Sequence, residues 1–251
     1  MTKWQKILSE VQEHQRALAK IGCDTPFYRG HRHASWELLC SLGRGPRRGS
    51  RDVAESALYY DFMSLGGPLF PQKVSSWDVA FAMQHHGLPT RLLDWSCTFA
   101  VALYFAISPH TFGPKRKASK AACIWILNPF ELNLHAGGEA AVFNPIVDLE
   151  GDYYENFITG SKTLGTSVMA VNPTRATPRQ AAQRSVFTLH NDIWKPLEEF
   201  APDQMRKVEI PESCFPEAVA FLDLTGINEY SLFPDFDGLA RQLRHEHAEH
   251  R

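Results

Sequence analysis

Residues 84–107 read QHHGLPTRLLDWSCTFAVALYFAI, and the way this stretch divides decides the fold. A helix carrying Trp77, Ala80, Phe81 and Gln84 on one face, N-capped by Ser75 or Ser76, ends at His85-His86-Gly87. A short loop, LPTRLLDWS, follows. Residues 97–107 are then apolar nearly all round, the pattern of a helix buried on every side. Upstream, residues 3–21 repeat Trp4, Ile7, Leu8, Val11, Leu18 and Ile21 at helical spacing until Gly22. Residues 36–42 suggest a short helix, and Val53, Ala54, Ala57, Leu58, Phe62 and Leu65 an amphipathic one. A strand is expected at 25–29. Downstream, strands are expected at 121–127, 167–171, 186–190 and 206–210, with helices at 212–224 and at the polar end of the chain. This order predicts an α+β fold, a helix-rich N-terminal half packed on a mixed or antiparallel sheet from the C-terminal half, rather than a doubly wound sheet.

Composition narrows the class. The chain has 251 residues, 44% hydrophobic and 22% charged, which excludes a disordered, collagenous or coiled-coil protein. Twenty-six basic against twenty-eight acidic residues leave a net charge of −2, so no global field draws the protein to nucleic acid or membrane. Five widely spaced cysteines without a CxxC pair argue against a disulfide framework or zinc knuckle. The N-terminus lacks an apolar signal segment, and 97–107 is too short to span a bilayer. A cytoplasmic protein without membrane association is expected. Residues 109–120, PHTFGPKRKASK, read as a flexible basic linker inside one domain covering 1–251, whose first helix lies within 1–22.

Three polar blocks carry candidate chemistry. In the first, Phe27-Tyr28-Arg29-Gly30, an arginine at a strand end can grip an anion with its two-pronged guanidinium, while the glycine lets a ligand approach the backbone. In the second, Arg91 and Asp94 stand three apart among Leu92, Leu93 and Trp95. Burying them requires that they pair as an internal clip or, with His85 and Thr90, line a pocket. In the third, Arg179 and Gln183 share one face of a helical turn before Phe187 and Thr188 enter a strand. Motifs for a P-loop, a dinucleotide fingerprint, HExxH zinc binding and a nucleophile elbow are absent, so no metal is expected.

Taken in order, these blocks and the late Leu232-Phe-Pro-Asp-x-Asp-Gly-Leu239 resemble the FRG domain, a bacterial and phage family named for a Phe-Arg-Gly motif. Tyr28 stands where the name has Phe, and Ser185 where a glycine is expected. A strand-borne Arg-Gly followed by later polar and acidic residues is also similar to ADP-ribosyltransferase-like folds, which bind NAD in a cleft. That likeness implies catalytic roles for Arg29, His85, Arg91, Asp94 and Gln183, and cofactor contacts from Tyr28, Gly30, Thr90, Trp95, Arg179, Phe187 and Thr188. Arg29 and Arg91 would neutralise a pyrophosphate, Tyr28, Trp95 and Phe187 would stack on a base, and Glu198 or Glu199 would be candidate acids.

The expectation is an NAD-consuming enzyme, either an ADP-ribosyltransferase or an NAD glycohydrolase. By analogy with small bacterial NAD-consuming proteins it would act as a toxin or phage-defence effector, with a protein or nucleic-acid acceptor and an antitoxin or other partner protein. Two other readings stand beside it. Basic loops at 44–51 and 115–120 suit a nucleic-acid-binding module or nuclease-like effector. A non-catalytic interaction domain would use Arg91 and Asp94 as a structural clip.

Overall fold

The computed structural model describes residues 1–44, 51–70, 73–111, 121–175 and 177–248. Its elements run α1 (Lys3–Lys20), β1 (Phe27–His31), α2 (Arg51–Gly66), α3 (Ser76–His85), β2 (Leu92–Ser96) and α4 (Phe99–Thr111). They continue β3 (Ala121–Leu127), α5 (Pro129–His135), β4 (Val168–Val171), α6 (Pro178–Ala182), β5 (Ser185–His190), α7 (Leu197–Phe200), β6 (Met205–Pro211), α8 (Phe215–Leu224), α9 (Glu229–Leu232) and α10 (Phe236–Ala248). The fold is α+β around a six-stranded antiparallel sheet of order β4-β5-β2-β1-β3-β6. Three of those strands come from the first 127 residues, so both halves of the chain build the sheet.

Caps set the long helices. Thr2 and Gln5 form a capping box at α1, and Ser75 and Asp78 form one at α3, satisfying backbone N–H groups that the first turn leaves open. Trp4, Ile7, Val11 and Leu18 bury one face of α1 against α4, α8 and one half of the sheet. Each such side chain contributes about 1.5–3 kcal/mol on burial. Helix α4 is the apolar helix expected from the sequence, with Val101, Leu103, Ala106 and Ile107 all buried. On the same side of the other half-sheet, α3 packs Trp77 and Phe81 over Leu92, Phe187 and Leu189. A core of Leu38, Leu93, Trp95, Trp125 and Val186 fills the opposite side.

Two expectations about local structure are corrected. LPTRLLDWS is not a loop throughout, because Leu92–Ser96 is a central strand paired along its length with β5. Residues 36–40 form no helix. Leu38, Cys40 and Leu42 are buried in alternation with more exposed neighbours, the period of extended chain, and a 3-10 turn follows at Ser41–Gly43. The region 135–165 contains one π-helical turn, Tyr154–Ile158. Of the expected linker, 112–120 lies outside the described residues.

Gly30 has a role that the sequence did not suggest. A Cβ built there would lie 1.9 Å from the Ala102 carbonyl oxygen and 2.7 Å from the Ala106 nitrogen. The missing side chain therefore lets α4 press onto β1. Gly30→Ala should cost about 1–3 kcal/mol, because a helix backbone cannot yield as a side chain can. Urea unfolding measures this, and unchanged stability would show that α4 does not sit on Gly30.

Candidate active-site cleft

Among the described residues β1 and β2 share one register pair, Tyr28↔Ser96. Beyond it β1 follows β3 and β2 follows β5, so the sheet divides into two halves. A cleft of about 780 Å³ opens at the division. Successive strand residues point to opposite faces, yet Arg29 and Gly30, and likewise Asp94 and Trp95, all line it. The cleft therefore enters through the strand edges rather than lying on one face.

Arg29 crosses the gap. Its Nη1 donates to the Asp94 carbonyl oxygen at 2.5 Å, standing in for a missing ladder bond, and lies 3.9 Å from Asp94 Oδ2. Its Nε donates to His31 Nε2 at 3.1 Å. Burial lowers the Arg29 pKa to about 10 despite the opposing field of Asp94, which leaves the guanidinium charged at neutral pH. Burial, then the charges of Arg29 and Arg44, push His31 down to about 3, so its ring is a neutral acceptor.

Asp94 is held from the other side. Gln84 Nε2 donates to Asp94 Oδ2 at 2.6 Å, and Thr90 Oγ1 donates to Gln84 Oε1 at 2.5 Å. The Asp94 side chain remains 54% exposed, which leaves it accessible to a ligand. At the far wall, Arg179 Nη1 donates to the His85 carbonyl oxygen at 3.4 Å, and its guanidinium lies 4.7 Å from the Phe233 ring centre. Burial, then Arg179, lower the His85 pKa, so this imidazole is neutral at pH 7. Gln183 Nε2 donates to the Leu232 carbonyl oxygen at 3.1 Å, which ties α6 to the Leu232–Leu239 motif. That motif folds tightly, since a Cβ at Gly238 would lie 1.9 Å from the Phe233 carbonyl oxygen.

The structure thus brings Tyr28, Arg29, Gly30, His85, Asp94, Trp95, Arg179 and Gln183 to one cleft. It places Arg91, Thr90, Phe187 and Thr188 elsewhere. Arg91 Nε donates to Glu55 Oε2 at 2.6 Å in the core, Nη1 donates to the Asn191 carbonyl oxygen, and Phe157 packs on its guanidinium. Tyr153 donates to the other Glu55 oxygen. Neither the Arg91–Asp94 clip nor a role for Arg91 at a pyrophosphate fits this arrangement. Phe187 packs on Phe81 in the core. Buried Thr188 accepts from Trp95 Nε1 at 3.1 Å and lies 2.9 Å from His190 Nε2. Glu198 accepts the Leu38 N–H with both oxygens and, like Glu199, does not line the cleft.

Several lining residues escaped the sequence reading. Gln84 looked like part of a helix core face, and Trp36 like part of a helix. Trp36 is 42% exposed, with the Arg32 guanidinium 4.8 Å from its ring centre. It offers more ring surface than Tyr28, Trp95 or Phe187, all of them buried. Arg44, from the expected basic loop, also lines the cleft, and its Nε donates to the Leu39 carbonyl oxygen. Arg47, Arg48, Lys115, Arg116, Lys117 and Lys120 lie outside the described residues, and nothing is described of the Arg51 side chain.

The family model of the FRG domain matches residues 24–112. The likeness to the FRG domain holds over that segment. The match takes in β1, α3, β2 and α4, hence both strands that border the split. Arg179, Gln183 and Ser185 line the cleft from beyond the matched span, and the 232–239 block, also beyond it, is tied to Gln183. No curated protein and no solved structure matches the chain. Among the described residues no helix is long and apolar enough to cross a membrane, and no cluster of His, Cys, Asp and Glu is placed to hold a metal ion.

Two outcomes follow from the buried polar groups. Arg91→Leu strands the Glu55 carboxylate in the core and should cost about 3–5 kcal/mol of unfolding free energy in urea, whereas a surface pair would cost well under this. His190, pushed down to about 3 first by burial and then by Arg29, stays neutral in the fold while the unfolded chain protonates it near its ordinary 6.5. Its depressed value removes stability as pH falls from about 6.5 to 3. The deficit of His190→Gln against wild type should therefore shrink by about 1.4 kcal/mol per pH unit through that window. A deficit independent of pH would mean that the imidazole can charge in place.

Proposed function

We propose that the cleft binds NAD and that the protein breaks its nicotinamide–ribose bond, releasing ADP-ribose or passing it to an acceptor. The observation that carries this reading is the split between β1 and β2, which sets an accessible carboxylate, Asp94, within a cleft lined by Arg29, Arg32, Arg44 and Arg179. Four guanidinium groups against the carboxylates of Asp94 and Glu37 favour a ligand with anionic groups. The volume lies in the ordinary range for small-molecule and cofactor sites.

In this reading Arg44 and Arg179 replace Arg91 as partners of the pyrophosphate, and Trp36 replaces Phe187 as a face for a planar ring. The bond from ribose C1′ to the nicotinamide nitrogen breaks, and its electron pair neutralises the pyridinium as nicotinamide leaves. Asp94 stabilises the positive charge that develops on the ribosyl group, the role open to a carboxylate aimed at developing charge. Water or an acceptor nucleophile forms the new bond at C1′. Neutral His85 accepts the proton it loses.

Purified protein incubated with NAD, with and without cell extract as a source of acceptor, tests the reading through nicotinamide release. Turnover is expected, and Asp94→Asn should reduce it by about 10²–10³-fold while the circular dichroism stays native. No release by wild type under either condition overturns the proposal, as does an Asp94→Asn variant with full activity.

A further inference from the structure

Asp94 is one end of a hydrogen-bond chain whose direction is set by chemistry rather than by assignment of atoms. The Asp94 carboxylate can only accept, so Gln84 turns its Nε2 to Asp94 Oδ2, 2.6 Å away, and its Oε1 to the Thr90 hydroxyl 2.5 Å away, which therefore donates; the same Thr90 oxygen accepts the Leu92 backbone N–H at 3.1 Å. Thr90 itself is held by Ser41, whose Oγ accepts the Thr90 N–H at 3.0 Å. The chain begins on a backbone group of β2 and returns to a side chain of the same strand, with α3 as the bridge.

We infer that Gln84 is a positioning residue and Thr90 its anchor, together fixing Asp94 as a hydrogen-bond acceptor in the cleft. Both groups that approach Oδ2, the NH2 of the Gln84 amide and the Arg29 guanidinium, can only donate. One carboxylate oxygen is thus occupied, and the exposed side chain presents the other to the ligand. The ligand group opposite it must be a hydroxyl donor or a centre that gains positive charge, flanked by anionic groups toward Arg44 and Arg179. This inference rests on the NAD reading for its chemistry, but the chain itself does not. Thr90 is completely buried and does not line the cleft, so its hydroxyl acts on the site indirectly, through Gln84 and through the Leu92 N–H at the start of β2.

Thr90→Val keeps the shape and removes the hydroxyl, while Thr90→Ser restores it. With NAD as substrate, Thr90→Val should lower kcat for nicotinamide release by up to about 100-fold, the scale of a misplaced catalytic group, with KM little changed. Thr90→Ser should recover most of the loss. Gln84→Met, at a half-buried position, provides the same split should Thr90→Val fail to fold. Full kcat in Thr90→Val, or equal losses in the Val and Ser variants, overturns the inference. A second arm needs no turnover. In ¹H–¹⁵N spectra the Gln84 side-chain amide should be shifted from free-glutamine positions in wild type and move toward them in Thr90→Val. An amide that keeps the same resonances in both proteins also overturns the chain. Wild type that releases no nicotinamide while its Gln84 amide responds to Thr90→Val sinks the NAD reading and leaves the positioning of Asp94 supported.

Discussion

The guanidinium of Arg29 stands where the backbone ladder between β1 and β2 stops. After Tyr28↔Ser96 the two central strands share no further register pair among the described residues, and the Asp94 carbonyl oxygen takes its hydrogen bond from Arg29 instead. A sheet interrupted at its centre loses backbone hydrogen bonds, and a largely buried arginine loses much of its hydration, so each defect is costly alone. Together they compensate, because the arginine supplies donors to the stranded carbonyl and finds acceptors in that oxygen, in His31 Nε2 and in the neighbouring Asp94 carboxylate. His31 serves this arrangement only as a neutral ring, and its burial keeps it neutral. The cleft is the space that this substitution creates.

A split sheet holds its shape only if each half is braced separately. The half that contains β2 is braced by the Glu55–Arg91–Tyr153 cluster, which ties α2 and the π-helical region to the residue just before the strand. The half that contains β1 is braced by α4, seated directly on Gly30. Gln183 joins α6 to the end of α9 and fixes the outer wall. The groups proposed to meet the ligand therefore project largely from strand edges and helix ends whose own positions are over-determined, the condition under which a site keeps its geometry.

Helices were legible in the sequence because their signals are local. The Ser75 cap, the apolar run before Ile107 and the spacing of Trp4, Ile7 and Val11 each report a single element. β2 was not legible, because a central strand covered on both faces does not alternate: Leu92, Leu93, Trp95 and Ser96 are all buried. Reading it as a loop cost more than one element, since the sheet then seemed to belong to the C-terminal half. Residue types at the site were recognised more readily than their partners. Glu55 lies 36 positions from Arg91 and nothing near it in sequence marks it as a counter-ion. Trp36 drew a helical reading that concealed its exposure at the cleft.

The density of polar residues in Thr90-Arg91-Leu92-Leu93-Asp94 has a geometric explanation. Once 92–96 is a strand, neighbours in sequence leave it in different directions, and a compact motif serves separate tasks. Arg91, at the bend before the strand, turns into the core toward Glu55. Thr90 reaches Gln84, and Asp94, on the strand itself, meets the cleft. A clip between Arg91 and Asp94 was plausible for a loop, where residues three apart readily turn toward each other. The strand excludes it. What looked like one ion pair is two: Glu55–Arg91 holds the framework in the core, and Arg29–Asp94 spans the opening where a ligand would enter.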